Sequence, residues 1–552
     1  MSGNRGWRIV AVAANLIPAG LIFYFVHRFG VDVPVGDEWD ACLIPLEKFH
    51  QGTLDLTALF AQHNEHRMLF PRLLTLANAV LFHWDRRMEM YVTAILLILC
   101  AWLYYRIVRT YWAHSLTPFL FVPVAWTLLS WRQWENLLMG MGTVFGLLAT
   151  GAVVAFFLLY RTRGIDRFLW GAAAAAFVAS FSSAGGLFVW PAGLVQLAIS
   201  QRFGSADEKP GRRALMVWTG AGLLIWALFF IGYHIKSASW PTGFLYVIQN
   251  PAAAIAYMAG MIGGPFSDRV PIAQALGALV FVASAWAVFR LWRTPASLVA
   301  AAPLLAFMAF TALIVVSACD RRLGMGTGEG VTSRYCSMTM LSLVALYAVL
   351  TRFALTERTP VTWLASAGLA ALMMGGALVC LLPWRHDPPG RADEYSLREY
   401  ALRYADVVGD GPLTLLHPRP DTVRARTPFL REHRYSLFRE DVPTGVPPNY
   451  VGGMAGCSIE RVDDQSGATI DVSRDRDKSG VRVAGSSVKG SRVFVSVDGR
   501  IDVPGLSGPA GFISYIRTSL LTDGEHSLGL KVVSPDGASY GTCGTAHILV
   551  VK

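Results

Sequence analysis

Long apolar runs recur along the chain from residue 7 to residue 384 and then stop. A helix needs about 20 predominantly apolar residues to cross a hydrocarbon core of roughly 30 Å. By this criterion the pattern predicts about eleven membrane spans. Their approximate limits are 8–28, 89–108, 115–130, 137–160, 168–184, 186–200, 214–234, 271–290, 297–317, 338–354 and 361–383.

Two shorter apolar stretches do not fit this series. Residues 67–83 contain Pro71 and Arg72, and residues 251–264 are interrupted by several glycines. Counting 67–83 as a span would move every later basic loop to the wrong face of the membrane. We therefore predict an interfacial or re-entrant amphipathic helix at each place, on the outer side.

After Pro383 the chain changes abruptly to Pro, Gly, Asp, Arg and Ser. An amphipathic helix is predicted at 394–408, and alternating strands with Asp-Gly turns follow from about residue 470. The strands are expected at 481–488, 492–497, 512–517, 527–533 and 546–551. The predicted fold is a polytopic α-helical membrane domain (1–384), a linker with the amphipathic helix (385–454) and a β-sandwich (455–552).

Composition agrees with a membrane protein, since 53% of the residues are apolar, 16% are charged and the mean hydropathy is +0.42. The net charge of +10 does not indicate nucleic-acid binding, because Lys and Arg fall mostly in short loops, where they orient helices. Arg5 and Arg8 precede the first run without a clean cleavage pattern after it. This predicts an uncleaved first helix and a cytoplasmic amino terminus. An odd number of spans then places the carboxyl terminus outside.

The loop after the first span concentrates acidic side chains. Asp37, Glu38 and Asp40 lie there, and Glu65 follows about two dozen residues later. A carboxylate in a partly desolvated cleft has a raised pKa and can act as general base for a hydroxyl. We therefore propose Asp37 and Glu38 as catalytic residues and Asp40 as a substrate contact. The alternative is that Asp37 and Asp40 are solvated loop residues or helix caps.

The same loop carries a polar cluster of His63, Glu65, His66 and Arg67. The two histidines are three apart, which would put them on one helical face, but the spacing differs from the HExxH zinc pattern. We expect the cluster to hydrogen-bond a sugar, with Arg67 for a phosphate. A structural polar cap on the following short helix is the alternative. No Cys/His metal spacing is present, so no metal is predicted, although a divalent metal requirement stays open.

A second loop, 318–336, retains three arginines on the predicted outer side, against the positive-inside trend. Arg321, Arg322 and Arg334, beside Tyr335, are predicted to bind a donor phosphate, because guanidinium groups match phosphate oxygens. The alternative is pairing with Asp320 and Glu329 and with lipid headgroups.

Two further features complete the prediction. Trp134, Glu135 and Asn136 lie at another outer turn and can stack on or hydrogen-bond a sugar, although interfacial tryptophans are commonly anchors. Cys457 and Cys543 flank the β-rich region, so a disulfide between them is predicted in an oxidising compartment. Two unpaired thiols are the alternative.

The chain resembles the GT-C superfamily of membrane glycosyltransferases, which includes protein O-mannosyltransferases and bacterial arabinofuranosyltransferases. The resemblance lies in Asp37-Glu38 after the first span, the amphipathic stretches that follow, and Arg334-Tyr335 before a late span. It implies that Asp37 is the catalytic base and that Arg334 lies near the lipid phosphate. It also implies a bacterial inner (cytoplasmic) membrane, with the carboxyl-terminal domain in the periplasm and similar to carbohydrate-binding sandwiches.

The implied reaction is an inverting transfer of a monosaccharide from a polyprenyl-phosphate donor to a hydroxyl of a protein, glycan or lipid acceptor, without a nucleotide or other cofactor. Two other functional classes are alternatives. A lipid-linked sugar transporter or flippase would need ionisable sites at mid-membrane depth, and the spans carry almost no charge. A non-catalytic polysaccharide assembly protein would keep its ligand chemistry in residues 385–552.

Overall fold

The computed structural model describes residues 3–235, 238–382, 391–440, 445–464, 480–488, 491–508, 511–522 and 524–550. The chain divides into two compact units. The helical unit consists of Met1–Gly30, Gln51–Ala77 and Arg87–His386. The mixed unit consists of Val31–His50, Asn78–Arg86 and Asp387–Lys552, so the acidic segment near Asp37 belongs to it.

Among the residues that the structure describes, eight helical segments of 18 residues or more are apolar enough to cross a membrane. They are Gly6–Phe29, Arg86–Trp112, Gly142–Leu159, Arg212–Phe230, Val270–Trp292, Ala302–Met325, Ser333–Glu357 and Pro360–Val379. Because so many long apolar helices would expose several hydrophobic faces to water, the protein is a polytopic membrane protein.

These helices differ in how many of their residues are buried inside the protein. Within an apolar 18-residue stretch of each helix, the buried share is 83% for Ser333–Glu357, 72% for Gly142–Leu159 and 22% for Val270–Trp292. The first two therefore form the centre of the bundle. The third presents an apolar face outward, as a lipid-contacting helix does.

Shorter helices and 3₁₀ turns connect these long segments or form their ends. The α-helices are Glu38–Ala41, Leu43–His50, Leu56–Phe60, Leu69–Phe82, Thr117–Leu120, Val122–Leu128, Trp134–Leu137, Arg167–Ser180, Val189–Phe203, Phe244–Gln249, Pro251–Gly263, Pro295–Ala300, Arg391–Arg403, Asp410–Thr414 and Pro420–Glu432. The 3₁₀ turns are Trp131–Gln133, Ala184–Phe188, Leu323–Met325, Thr327–Val331, Ser333–Tyr335, Ser436–Arg439 and Thr518–Leu520.

Several predicted spans are not continuous helices. Residues 137–160 are interrupted at 138–141, and residues 297–317 are interrupted at Ala301. Residues 115–130 form two helices of four and seven residues that meet at Phe121. Pro118 and Pro123 each lie in the first turn of one of these helices. Proline lacks the N–H that would continue the previous helix, and it favours the first turn of a new one.

The two short apolar stretches are helical, as predicted. Leu69–Phe82 has 14 residues and Pro251–Gly263 has 13. At 1.5 Å per residue each helix is about 20 Å long, less than the roughly 30 Å of a hydrocarbon core. Pro251–Gly263 packs tightly on Val270–Trp292 because both helices carry glycine at the contact. A Cβ atom at Gly263 would lie 1.8 Å from the carbonyl oxygen of Ala273.

The carboxyl-terminal part of the mixed unit contains two β-sheets. In chain order the strands are β1 (Gln62–His63) and β2 (His66–Arg67) in the helical unit, then β3 (Asn449–Gly453), β4 (Ser458–Asp464), β5 (Gly480–Ser486), β6 (Arg492–Val497), β7 (Ile501–Pro504), β8 (Leu506–Gly508), β9 (Gly511–Arg517), β10 (Gly524–Val533) and β11 (Ser539–Val550). One sheet has the order β3-β11-β10-β6-β7, and the other has the order β4-β5-β9-β8.

The two sheets share one hydrophobic core. Val483 of β5 and Phe512 of β9 pack in the same cluster as Val495 of β6 and Leu530 of β10. Two sheets that bury their alternating apolar faces against each other form a β-sandwich. The five predicted strands are confirmed, with the limits of β6 at Arg492 and Val497 as predicted. Cys457 and Cys543 form a disulfide with Cα atoms 6.0 Å apart.

Candidate functional site

Two loops of the helical unit meet around the backbone of Arg334. A carboxylate oxygen of Glu135 accepts a hydrogen bond from the Arg334 N–H, at 2.9 Å, and another from the Ser333 hydroxyl, at 2.5 Å. The side-chain amide of Asn136 donates to the Arg334 carbonyl oxygen, at 2.9 Å. Glu135 thus accepts bonds at the start of the helix that follows, where a negative charge is favourable.

A buried hydrogen-bond chain supports this loop contact from inside. Asn136 Nδ2 donates to Ser337 Oγ at 2.7 Å, and that hydroxyl donates to Gln133 Oε1 at 2.6 Å. Gln133 and Asn136 are almost fully buried. Buried polar groups that satisfy each other's hydrogen bonds favour a single geometry, so these residues hold the backbone of Arg334 in one position.

The Arg334 guanidinium lies beside Glu329 and Tyr335. Its Nη2 atom is 3.0 Å from Glu329 Oε2, and its central carbon is 5.5 Å from the centre of the Tyr335 ring. About a third of the side chain (34%) is exposed. A guanidinium has five N–H donors, so one carboxylate contact leaves donors for an anionic ligand.

A second arginine group surrounds Glu65. The Glu65 carboxylate lies 3.5 Å from Arg322 Nη2 and 3.9 Å from Arg321 Nε, and all three side chains are about a quarter exposed. The Trp240 indole N–H donates to the Arg321 carbonyl oxygen at 3.0 Å, which anchors the backbone. The structure therefore brings together Glu65, Arg321 and Arg322, which the sequence placed in different loops.

The residues around Glu65 correct the predicted helical face. Gln62–His63 and His66–Arg67 form a two-stranded hairpin in which His63 is paired with His66. Asn64 has a positive φ of 49°, a conformation that asparagine tolerates in tight turns. The helical prediction was wrong because this turn ends the segment before a helix can begin.

Arg67 has structural hydrogen-bond partners, and its expected role in binding a phosphate stays a prediction. Its guanidinium donates to the carbonyl oxygens of Phe60 (2.7 Å), Phe229 (2.6 Å) and Ile231, and the residue is 9% exposed. Burial lowers the pKa of Arg67, and nearby Tyr233 opposes that change. The last carbonyls of a helix lack intrahelical donors, so Arg67 satisfies the end of Arg212–Phe230.

His66 also has a structural contact, because its Nδ1 atom accepts a hydrogen bond from the Ala184 N–H at 3.1 Å. Trp134 lies at the start of the helix Trp134–Leu137 and is partly exposed. Their proposed sugar-binding roles stay predictions.

Within the mixed unit, Glu38 is buried and neutralised. Its Oε1 atom is 2.6 Å from Arg86 Nη2, and its Oε2 atom accepts a hydrogen bond from the Val35 N–H at 2.9 Å. Only 1% of Glu38 is exposed, which differs from the cavity-facing carboxylate expected from the sequence. Its buried carboxylate is occupied by Arg86 and by the Val35 N–H, so it is not open to an acceptor hydroxyl, and this geometry disfavours Glu38 as a general base.

Asp37, in contrast, is exposed. It precedes the helix Glu38–Ala41, and its side chain makes no capping hydrogen bond to that helix. The helix-cap alternative for Asp37 therefore does not hold, whereas its exposure fits the solvated-loop alternative. This exposure differs from the partly desolvated cleft expected from the sequence, and the role of Asp37 as general base stays a prediction.

Asp40 belongs to an ionic network that the sequence did not indicate. Its carboxylate lies 3.1 Å from Arg426 Nη1, 3.6 Å from Arg419 Nη2 and 3.7 Å from His417 Nε2. Arg426 also reaches Glu47 at 3.6 Å. Burial raises the pKa of Glu47. The positive charge of Arg426 acts against this increase, and the negative charge of Asp40 adds to it. The partners of Asp40 lie almost 400 residues away, so only the folded unit could reveal them.

Sequence reasoning also missed the polar residues that hold Arg334. Gln133 and Ser337 lie at the edges of apolar runs, and such isolated polar residues in a membrane domain are a recognisable signal. Across the residues that the structure describes, no group of three or more His, Cys, Asp or Glu side chains is arranged to hold a metal ion.

Comparison of the chain with protein-family models, with curated proteins and with solved structures gave no match.

Proposed function

We propose that the protein is a GT-C-type membrane glycosyltransferase that moves a monosaccharide from a polyprenyl-phosphate donor to an acceptor hydroxyl. The observation that carries the proposal concerns Arg334. Hydrogen bonds from Asn136 and to Glu135 fix its backbone, whereas about a third of its side chain is exposed. A preorganised cation of this kind suits the charge that grows on a leaving phosphate.

The arginine and carboxylate groups also suit a reversible phosphate site. Arg321, Arg322 and Arg334 face two carboxylates, Glu65 and Glu329, at distances of 3.0 to 3.9 Å. All five side chains are partly exposed, and exposed ion pairs are worth only about 0–1 kcal/mol. A phosphate that offers several acceptor oxygens can replace such carboxylates at little cost.

In the proposed reaction, Asp37 removes the proton of the acceptor hydroxyl. The acceptor oxygen attacks the anomeric carbon, the bond from that carbon to the phosphate oxygen breaks, and the configuration inverts. Arg334, helped by Arg321 or Arg322, stabilises the polyprenyl phosphate that leaves. We assign the base to Asp37 alone, because Glu38 is buried against Arg86.

The proposal includes a topology of eleven spans, in which three shorter segments join the eight long apolar helices. These are the broken pair Thr117–Leu120 and Val122–Leu128, and the helices Arg167–Ser180 and Val189–Phe203. With the amino terminus in the cytoplasm, the β-sandwich then lies in the periplasm of a bacterial cell.

The experiment uses the purified full chain in lipid nanodiscs. Polyprenyl phosphates carrying arabinose, mannose or glucose are supplied with a cell-envelope extract as acceptor, and products are identified by mass spectrometry. Transfer from one donor is expected, with a large increase in KM for that donor in Arg334→Gln. Arg269→Gln, an exposed arginine without a side-chain ion pair in the described chain, is the control and should keep full activity. Absence of transfer from every donor, or equal activity of Arg334→Gln, contradicts the proposal.

A further inference from the structure

A cavity of about 760 Å³ lies in the helical unit, where four helices end. Its walls come from Arg86–Trp112, Val270–Trp292, Pro295–Ala300 and Cys336–Glu357, together with the turn that joins the second and third of these. In the eleven-span topology proposed above, residues 161–167, 290–293 and 352–358 lie on the cytoplasmic side. None of the lining residues belongs to the loops around Glu65 or Arg334.

Three arginines line this cavity, and only one of them is neutralised within it. Arg290 forms a two-pronged pair with Glu357, at 3.0 and 3.1 Å. Arg352 donates to the Trp112 carbonyl oxygen at 2.9 Å, and Arg293 lies over the Phe289 ring at 4.3 Å. Over the described part of the chain, neither Arg293 nor Arg352 forms an ion pair with a carboxylate. The cavity therefore carries excess positive charge.

Aromatic side chains form another part of the cavity lining. Trp286, Phe289 and Phe353 contribute their rings, and the Arg290 guanidinium lies 5.2 Å from the Trp286 ring and 5.4 Å from the Phe353 ring. Phe289 is more than half exposed, as are Phe281 and Trp292 on the same helix. The apolar surface thus continues from the cavity along the helix that is least buried in the bundle.

We propose that this cavity binds the phosphate headgroup of an anionic membrane lipid. Basic residues at cytoplasmic turns are expected from topology alone, but topology does not require them to enclose a space between helices. Basic pockets between membrane helices on the cytoplasmic side suit phosphorylated headgroups. The exposed apolar face beside the cavity accommodates acyl chains, which a free phosphate lacks. The proposal does not depend on the transfer reaction.

Native mass spectrometry of the full chain in a neutral detergent tests the site. The protein is titrated with a phosphatidylglycerol, with a phosphatidylcholine of the same acyl chains, and with inorganic phosphate. Preferential retention of phosphatidylglycerol is expected, without displacement by millimolar phosphate. The double variant Arg293→Gln/Arg352→Gln should bind it about fivefold more weakly for each arginine removed.

The matched control removes two arginines from turns on the same predicted face but outside the cavity. Arg161→Gln/Arg167→Gln serves, because Arg161 and Arg167 also lie over aromatic rings, at 4.6 and 5.0 Å. Should the double variant fail to fold, Arg293→Gln alone carries the test, since the Arg293 guanidinium lies over a ring and forms no ion pair within the residues that the structure describes. An equal loss in the control, equal binding of the two lipids, or displacement by inorganic phosphate overturns the proposal.

Discussion

Arg334 has a fixed backbone and a guanidinium that keeps hydrogen-bond donors for a ligand. Its backbone is fixed by Glu135 and Asn136, whereas its guanidinium meets a single carboxylate, Glu329, at 3.0 Å. A structural arginine such as Arg67 uses its donors on several backbone carbonyls and is nearly buried. The difference in exposure and in partners separates a candidate ligand-binding arginine from a structural one.

Glu329→Gln tests whether a donor phosphate displaces the Glu329 carboxylate from Arg334. The variant removes both the competing partner and a repulsive charge, so KM for the donor should fall about twofold to fivefold, the worth of an exposed ion pair. Steady-state kinetics in nanodiscs measures the change. Glu394→Gln removes an exposed pair with Arg398 in the amphipathic helix and should leave KM unchanged. An increase in KM for Glu329→Gln would show that the pair positions Arg334 rather than competes with the substrate.

His526 provides a test of the β-sandwich at the residue scale. Its pKa is raised by a hydrogen bond to the Thr522 carbonyl oxygen and by Asp498, whose carboxylate is 2.6 Å away, while burial acts in the opposite direction. A raised pKa means that the folded state holds the proton more tightly than the unfolded state. The stabilisation is therefore complete below the unfolded pKa of about 6.5 and is lost as the pH rises through the folded pKa.

Proton NMR of the full chain with labelled histidine follows this titration, with His526→Gln to assign the signal. We expect a midpoint above 6.5 in the native chain and a lower midpoint in Asp498→Asn. An unchanged midpoint in Asp498→Asn would show that the ion pair does not contribute.

At the scale of elements, close packing of small residues decides where helices meet. Pro251–Gly263 and Val270–Trp292 approach so closely that a Cβ atom at Gly277 would lie 1.8 Å from the carbonyl oxygen of Ala259. Backbone atoms cannot move aside as a flexible side chain can. Glycine at this contact is therefore required by the approach of two backbones, as in other membrane helix pairs.

Gly277→Ala should lower stability by about 1–3 kcal/mol, because the added methyl group forces the two helices apart. Gly220→Ala is the matched control, since nothing lies within 4 Å of a Cβ atom at that helical position. There the substitution should be neutral or stabilise by about 0.5–1 kcal/mol. Thermal unfolding in detergent compares the two variants, and equal effects at both positions would contradict the close contact.

A strand or helix that is marked by its own sequence pattern could be predicted from the sequence. A break within a helix was harder to predict. Val493, Val495 and Val497 recur at alternate positions of β6 (Arg492–Val497), and all three join the core. Residues 115–130 look like one span by hydropathy, yet Pro118 and Pro123 divide them into two helices. Hydropathy averages over such breaks, whereas the backbone does not.

At the scale of the whole molecule, the sequence singled out several residues that the structure brings into contact, but it did not indicate which residues contact which. Arg334 was singled out as a charge on the predicted outer side of the membrane, and Glu135 and Asn136 as polar residues at a turn. Their contact with one another follows from the packing of central helices. The partners of Asp40 and Glu38 required folding of the mixed unit, because Arg426 and Arg86 belong to no recognisable motif.

The role of Asp37 is the claim on which the proposed reaction depends, and one comparison of rates tests it. Asp37→Asn removes the proton acceptor but nearly keeps the size of the side chain. Asp55→Asn is the matched control, because Asp55 caps Leu56–Phe60 through a bond from the Ala58 N–H that asparagine can also accept.

The measurement is the rate of sugar transfer from the active polyprenyl-phosphate donor at equal amounts of folded protein. We expect a fall of about a hundredfold or more in kcat for Asp37→Asn, the usual contribution of a general base, with the rate of Asp55→Asn unchanged. Transfer by Asp37→Asn at the native rate would contradict this expectation.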